Sequence, residues 1–247
     1  GIPVPNHWTR GGCQYGVIPC NGLLYVPPHS CACFITAKLN GFHCLAPKRE
    51  AESGKRKAED RKSEGRLQRG PAFSQIPNPQ SPVSSSVDWP TYRHDPARSG
   101  RASGAVSSKL KPAWQVSLGG RLSSVVIADG RLFVAQVDAH TVHALDAGDG
   151  RPLWSYTVGG RVDSPPTVWQ GRVLFGSADG WVYCLRASDG VLAWRFRAAP
   201  EDQRIVSYGQ VESAWPVPGN VLVQDAVACC AAGRSSYLDG GMRICRL

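Results

Sequence analysis

The side chains of this 247-residue chain best suited to metal or redox chemistry are its nine cysteines and six histidines. Cys13, Cys20, Cys31, Cys33 and Cys44 crowd the first part, whereas Cys184, Cys229, Cys230 and Cys245 fall in apolar runs that read as strands. Thiolates and imidazoles bind zinc from paired Cys-x-x-Cys spacings, and covalent haem needs Cys-x-x-Cys-His. Cys31-Ala32-Cys33 with His29 nearby matches neither. A metal or redox site built from Cys13, Cys20, His29, Cys31 and Cys33 is one expectation, and disulfides or buried thiols are the preferred one. His140 and His143 lie three apart, in a turn and a strand, and are expected to be solvent-facing or hydrogen-bonded rather than paired ligands. No Ser-His-Asp set, phosphate loop or pair of carboxylates stands out.

The elements that must carry these residues are set by an internal repeat. "ADGRLFVAQVDAHTVHALDAGDGRPLWSYTVGG" (128–160) matches "WQGRVLFGSADGWVYCLRASDGVLAWRFRAAP" (169–200) almost position by position. Gly130 answers Gly171, Asp138 answers Asp179, Asp149-Gly150 answers Asp189-Gly190, and Trp154 answers Trp194. Trp114 stands a further forty residues upstream. Each unit holds four short apolar runs, in the first unit 123–127, 131–137, 141–145 and 152–158, rich in β-branched and aromatic residues. Asp-Gly pairs at 129–130, 149–150, 179–180 and 189–190 supply the positive φ of tight hairpins. Four hairpin-linked strands recurring about every forty residues describe a β-propeller blade, so the fold class expected is all-β, an incomplete propeller of four-stranded antiparallel blades.

"ALDAGDGRPLW" (144–154) and "CLRASDGVLAW" (184–194) resemble the Ala-x-Asp-x-x-Thr-Gly-x-x-x-Trp motif of pyrroloquinoline-quinone (PQQ)-type propeller repeats, the quinoprotein and BamB-like class. Asp149 and Asp189 stand where that motif has Thr, and Arg186 where it has Asp. "DWPTYRHDPARSG" (88–100) is similar to the entry segment of such propellers. The resemblance implies that Trp114, Trp154 and Trp194 dock each blade on its neighbour, with Gly150 and Gly190 as part of the dock. It covers residues 88–247, read as two full blades and one truncated one.

Residues 1–47 read as a degenerate blade with a Cys-rich insertion, because Asn21-Gly22 and "FHCLA" echo Gln170-Gly171 and "VYCLRA". Residues 48–87 are charged, then rich in Pro and Ser, and are expected to be a solvated, disordered linker. Lys48 to Arg69 holds nine Lys or Arg against five Asp or Glu, a net +4 of the chain's +9. With mixed signs and no interleaved aromatic ring, that stretch does not read as a nucleic-acid site. No apolar run is long enough to span a bilayer as a helix. The chain starts without Met and stops where a third strand should run into another turn, so a fragment is expected, with the remaining blades or a protein partner covering its edges.

Function enters through the resemblance. A PQQ dehydrogenase would need a calcium site of carboxylate and amide oxygens, a base and an aromatic platform, for which Glu212, Trp215, Asn220 and Asp225 are candidates. Ordinary turns and blade packing would use the same four residues. Quinoprotein alcohol dehydrogenases also carry a disulfide between adjacent cysteines. Here Cys229-Cys230 aligns with the strand residues Leu174 and Phe175, whose neighbours point to opposite faces, so such a ring would demand distortion. The leading expectation is a non-catalytic binding or scaffold module outside the cytoplasm, in the periplasm or cell envelope. The alternative is a PQQ- and calcium-dependent dehydrogenase.

Overall fold

The computed structural model of the chain describes residues 17–20, 23–26, 43–45, 65–75, 88–102, 104–105, 108–237, 239 and 241–247. All regular structure among them is β. The first blade is β5 (Val126–Ala128), β6 (Arg131–Gln136), β7 (Thr141–Asp146) and β8 (Pro152–Thr157), paired in that order. The second repeats it as β9 (Thr167–Trp169), β10 (Arg172–Gly176), β11 (Trp181–Arg186) and β12 (Leu192–Arg197). Even the ladder irregularity recurs, between Ala144 and Leu145 in one blade and Cys184 and Leu185 in the next. A third sheet holds β15 (Leu222–Gln224), β16 (Val227–Ala232) and β17 (Arg243–Arg246). Between the second and third lies a separate hairpin, β13 (Arg204–Ser207) with β14 (Gln210–Ser213). Near the start, β1 (Ile18–Cys20), β2 (Leu23–Val26) and β3 (His43–Leu45) pair into a three-stranded antiparallel sheet. No closed ring forms among the described residues, so the fold is an incomplete β-propeller.

The hairpins are shaped by backbone chirality. Asp129-Gly130 and Gln170-Gly171 both take positive φ, 52° and 70°, then 49° and 70°. Two consecutive residues in that region make the tight turn whose twist matches paired strands.

The two faces of the second blade explain how blades stack. Strand neighbours alternate sides. Val173, Phe175, Tyr183 and Leu185 join the first blade's Val126, Phe133 and Val142 in one apolar layer. Leu174, Val182, Cys184 and Ala193 join Val217, Val223, Ala228 and Cys230 in the other. Phe133 and Phe175 are fully buried, which is worth about 2 to 3 kcal/mol each. Cys184 is a small core residue with no exposed surface, and burial pushes its thiol up to about 12.

The charged stretch departs from its expected disorder at residues 65–75, although most of these residues stay exposed. There β4 (Leu67–Arg69) adds a fifth strand to the outer edge of β12, with Trp194 opposite Arg69 and Phe196 opposite Leu67. Gly70 N and Ala72 N then donate to the carbonyls of Ala193 and Leu192, 2.7 and 3.0 Å away. A side chain at position 70 would collide with the Leu192 carbonyl. The physical reason is that a sheet edge offers unpaired N–H and C=O groups that any extended segment can satisfy, whatever its side chains. The rest of 48–87, apart from these eleven residues, lies outside the described residues.

Candidate functional site

The first strands of the blades converge, β9 lying against both β5 and β15. The entry segment runs along that convergence: Trp89 exchanges both backbone hydrogen bonds with Ile127, and Val168 N donates to Pro90 O at 2.7 Å. Its Arg98 donates from Nη1 to Thr91 Oγ1 and Tyr92 O, and from Nη2 to Asn220 Oδ1 at 2.7 Å. Asn220 also donates to Pro165 O at 2.7 Å, so one amide ties three segments together. Burial lowers the Arg98 guanidinium from its ordinary value, against the opposing charge of Asp95.

A second polar centre is built on the β13–β14 hairpin. Glu212 of β14 is 1% exposed. Arg161, from the β8–β9 connection, places Nη1 2.7 Å from Glu212 Oε1, and Arg234 places Nη2 2.7 Å from Oε2. Charges alternate outward from there. Arg161 Nε is 3.3 Å from Asp163, which is 3.7 Å from Arg121, itself 3.1 Å from Asp138. Arg161 also lies over the Tyr208 ring at 5.1 Å. His140, in the β6–β7 turn, shares a 2.8 Å hydrogen bond with Gln210, which ties the hairpin to the first blade. Arg121, Asp138, Arg161, Asp163 and Tyr208 line an open cleft of about 470 Å³. Burial raises the Glu212 carboxyl above its ordinary value, with Arg234 and Arg161 pulling the other way, and burial lowers the Arg234 guanidinium.

The four residues singled out as calcium or quinone candidates occupy separate environments. Glu212 sits between two guanidiniums, and Asn220 Oδ1 accepts from Arg98. Trp215 is buried in the layer between the second and third blades, its Nε1 donating to Asp239 O at 2.9 Å. Asp225 is exposed in the β15–β16 turn, at φ 50°, followed by Ala226 at 61°. The donor set does not fit a calcium ion. A hard cation needs several oxygens free to face it together, and here the Glu212 carboxylate and the Asn220 amide oxygen face cationic nitrogens while Asp225 is exposed in a separate turn. Cys229 and Cys230 are free thiols in a regular ladder, Cys230 buried and Cys229 half-buried on the opposite face. His29, Cys31 and Cys33 lie outside the described residues, as does Cys13. Among the described residues, no cluster of three or more His, Cys, Asp or Glu is placed to hold a metal.

Two of the three evenly spaced tryptophans repeat one geometry. Trp154 Nε1 donates to Ala187 O at 3.0 Å, and its ring lies over Gly190, where a Cβ would come within 2.7 Å of it. Trp114 does the same forty residues earlier, donating to Ala147 O at 3.1 Å over Gly150, where a Cβ would come within 2.6 Å. The PQQ_2 family model, described as "Outer membrane protein assembly factor BamB", matches residues 97–239, more than half of the chain. The chain belongs to this family. BamB of Burkholderia pseudomallei (strain K96243) is 35% identical over 94 residues, covering 37% of this chain and 24% of that protein. The dehydrogenase subunit of the quinone alcohol dehydrogenase of Gluconobacter oxydans (strain 621H) is 31% identical over 111 residues, covering 39% of this chain and 14% of that one. The chain thus spans a quarter or less of either relative. Among solved structures, quinohemoprotein alcohol dehydrogenase ADHIIG from Pseudomonas putida HK5 superposes with a TM-score of 0.50 at 19% identity, covering 62% of this chain and 24% of that one. A europium-containing methanol dehydrogenase does so with a TM-score of 0.50 at 16% identity, covering 61% and 28%. These likenesses show the PQQ-type propeller fold.

Arg161, Arg234, Asp163, Arg121, Tyr208 and Arg98 were not among the sequence candidates. A signal existed for two of them: Gly-Gly-Arg recurs at 119–121 and 159–161, on the same forty-residue period as the tryptophans.

Proposed function

We propose that this propeller segment is a non-catalytic binding or scaffold module, working outside the cytoplasm, whose charged face around the β13–β14 hairpin receives a protein partner. The observation that carries the proposal is the use of the Glu212 carboxylate and the Asn220 amide oxygen. Both are engaged by arginines, at 2.7 Å in each case, in contacts that fix the hairpin and the entry segment. A rigid framework presenting alternating charges and exposed rings suits recognition of another protein's polar surface, where complementary charges set orientation and partner choice. Tyr208 and Tyr237, 58% and 87% exposed, supply such rings. The BamB relatives, named as assembly factors, support this reading. The quinone alcohol dehydrogenase relative supports the other, a PQQ- and calcium-dependent dehydrogenase. Calorimetric titration of PQQ into the purified protein, with excess calcium, separates them. The scaffold reading expects no heat beyond dilution. Saturable binding at micromolar strength or better would overturn it in favour of the dehydrogenase.

A further inference from the structure

The third sheet holds three of the chain's cysteines, and the ladder brings two of them face to face. Cys230 of β16 stands directly opposite Cys245 of β17. Two positions along, Ala228 and Leu247 exchange both backbone hydrogen bonds, at 3.0 and 2.9 Å. Antiparallel pairs alternate between hydrogen-bonded and non-hydrogen-bonded, so Cys230 and Cys245 form a hydrogen-bonded pair, with Cα atoms about 5.5 Å apart. Disulfides span about 4.4 to 6.8 Å between Cα atoms, so the Cα spacing of this pair is within range, and closure draws the two Cβ atoms in from about 5.5 Å to about 3.8 Å. Both side chains are on the sheet face that packs into the layer between the second and third blades. Cys229 is on the other face, and a bond from it to either partner would break the alternation of the strand.

The immediate surroundings favour thiol chemistry. Cys230 hydrogen-bonds to the Cys245 sulfur, and Arg66, carried in by the 65–75 segment, lies beside it. The Cys230 hydrogen bond, with help from the Arg66 guanidinium, holds the Cys245 thiol below its ordinary value, whereas Cys230 is raised by the same bond and by burial. Cys245 is half-buried and within reach of a small reagent, while Cys230 is 6% exposed.

We propose that Cys230 and Cys245 are a redox pair, with Cys245 the attacking thiolate, that closes to a cross-strand disulfide by exchange with a low-molecular-weight disulfide. The Cys245 sulfur forms a bond to one sulfur of the reagent, whose S–S bond breaks to release the first small thiolate. Cys230 gives up its proton and attacks the Cys245 sulfur of the mixed disulfide, and the second small thiolate leaves. Two protein thiols are oxidised, and one reagent disulfide is reduced to two thiols. The product staples β17 to β16 at the edge nearest Arg66.

The test uses the whole chain and the adjacency of Cys229 as its control. The protein is incubated with glutathione disulfide, alkylated under denaturing conditions, and digested with trypsin. Cleavage after Arg204, Arg234, Arg243 and Arg246 separates Cys229 and Cys230, in 205–234, from Cys245, in 244–246. The proposal expects these two peptides to be joined, in the wild type and equally in Cys229→Ala, and the joined species to vanish in Cys230→Ala. Arg66→Gln should slow its formation several-fold without changing the linkage. Full alkylation of all three cysteines, a bond between Cys229 and Cys230, or a joined species that survives Cys230→Ala would each overturn it.

Discussion

Trp154 and Trp194 hold equivalent positions in consecutive blades and meet different surroundings. Trp154 has a turn glycine beneath its ring and a turn carbonyl for its indole N–H, as Trp114 has. Trp194 instead borders a groove of about 320 Å³ lined by Leu174, Val223, Ala228 and Leu247, with Leu67 and Phe73 of the 65–75 segment on its other side. Among the described residues, none accepts a hydrogen bond from its Nε1. The contrast separates the dock into two contributions. One is apolar contact, which both indoles have, and the other is a glycine turn that admits the ring and positions one carbonyl. At Trp194 the strand β4 supplies edge pairing in place of the second.

Removing the indoles should give the largest separation. Trp154→Ala is expected to cost about 4 kcal/mol in urea unfolding, and Trp194→Ala about 2, because large-to-small losses scale with the contact removed. Equal losses would break the comparison. Next comes the glycine. Gly190→Ala must strain a backbone at φ 73° and push a methyl into the Trp154 ring, at about 3 kcal/mol together. Gly171→Ala, at φ 70° with open space around it, should cost only about 1 kcal/mol. The carbonyl is isolated by Trp154→Phe and Trp194→Phe in the same assay. The first should lose about 1 kcal/mol more than the second, the value of one hydrogen bond. The smallest effect concerns Arg66 at the Trp194 edge. Alkylation of Cys245 in Cys229→Ala should rise with pH to a midpoint below the ordinary thiol value, and Arg66→Gln should move that midpoint upward. A midpoint at the ordinary thiol value in both proteins would detach Arg66 from this thiol.

The repeat was legible because it is written in local chemistry. Asp129-Gly130, Asp149-Gly150 and the evenly spaced tryptophans are each readable within a few residues, and β6, β7 and β8 fall where their apolar runs do. The β4 strand was not legible, since "LQR" pairs through its backbone and leaves all three residues exposed. Nor was the turn at Asp225-Ala226, where alanine takes a φ of 61° that sequence reading reserves for glycine or asparagine. At the site, Glu212 could be singled out, but its role could not. Its partners stand 51 positions before it and 22 after it in the sequence, at Arg161 and Arg234, and spacing carries no information about pairs that only the fold creates. The same holds for Asn220, whose partner Arg98 is 122 residues away.

Held between Arg161 and Arg234, Glu212 is the anion of an ion cluster rather than a metal ligand. Thermal melting of the wild type and Glu212→Gln, each with and without calcium and PQQ, distinguishes the two roles. The substitution is expected to destabilise the protein by about 3 kcal/mol, because two half-buried guanidiniums lose their shared anion, and calcium with PQQ should shift neither melt. A ligand that binds only the folded state must raise its melting temperature. Stabilisation of the wild type by calcium and PQQ, absent from Glu212→Gln, would instead make Glu212 a cofactor-site residue.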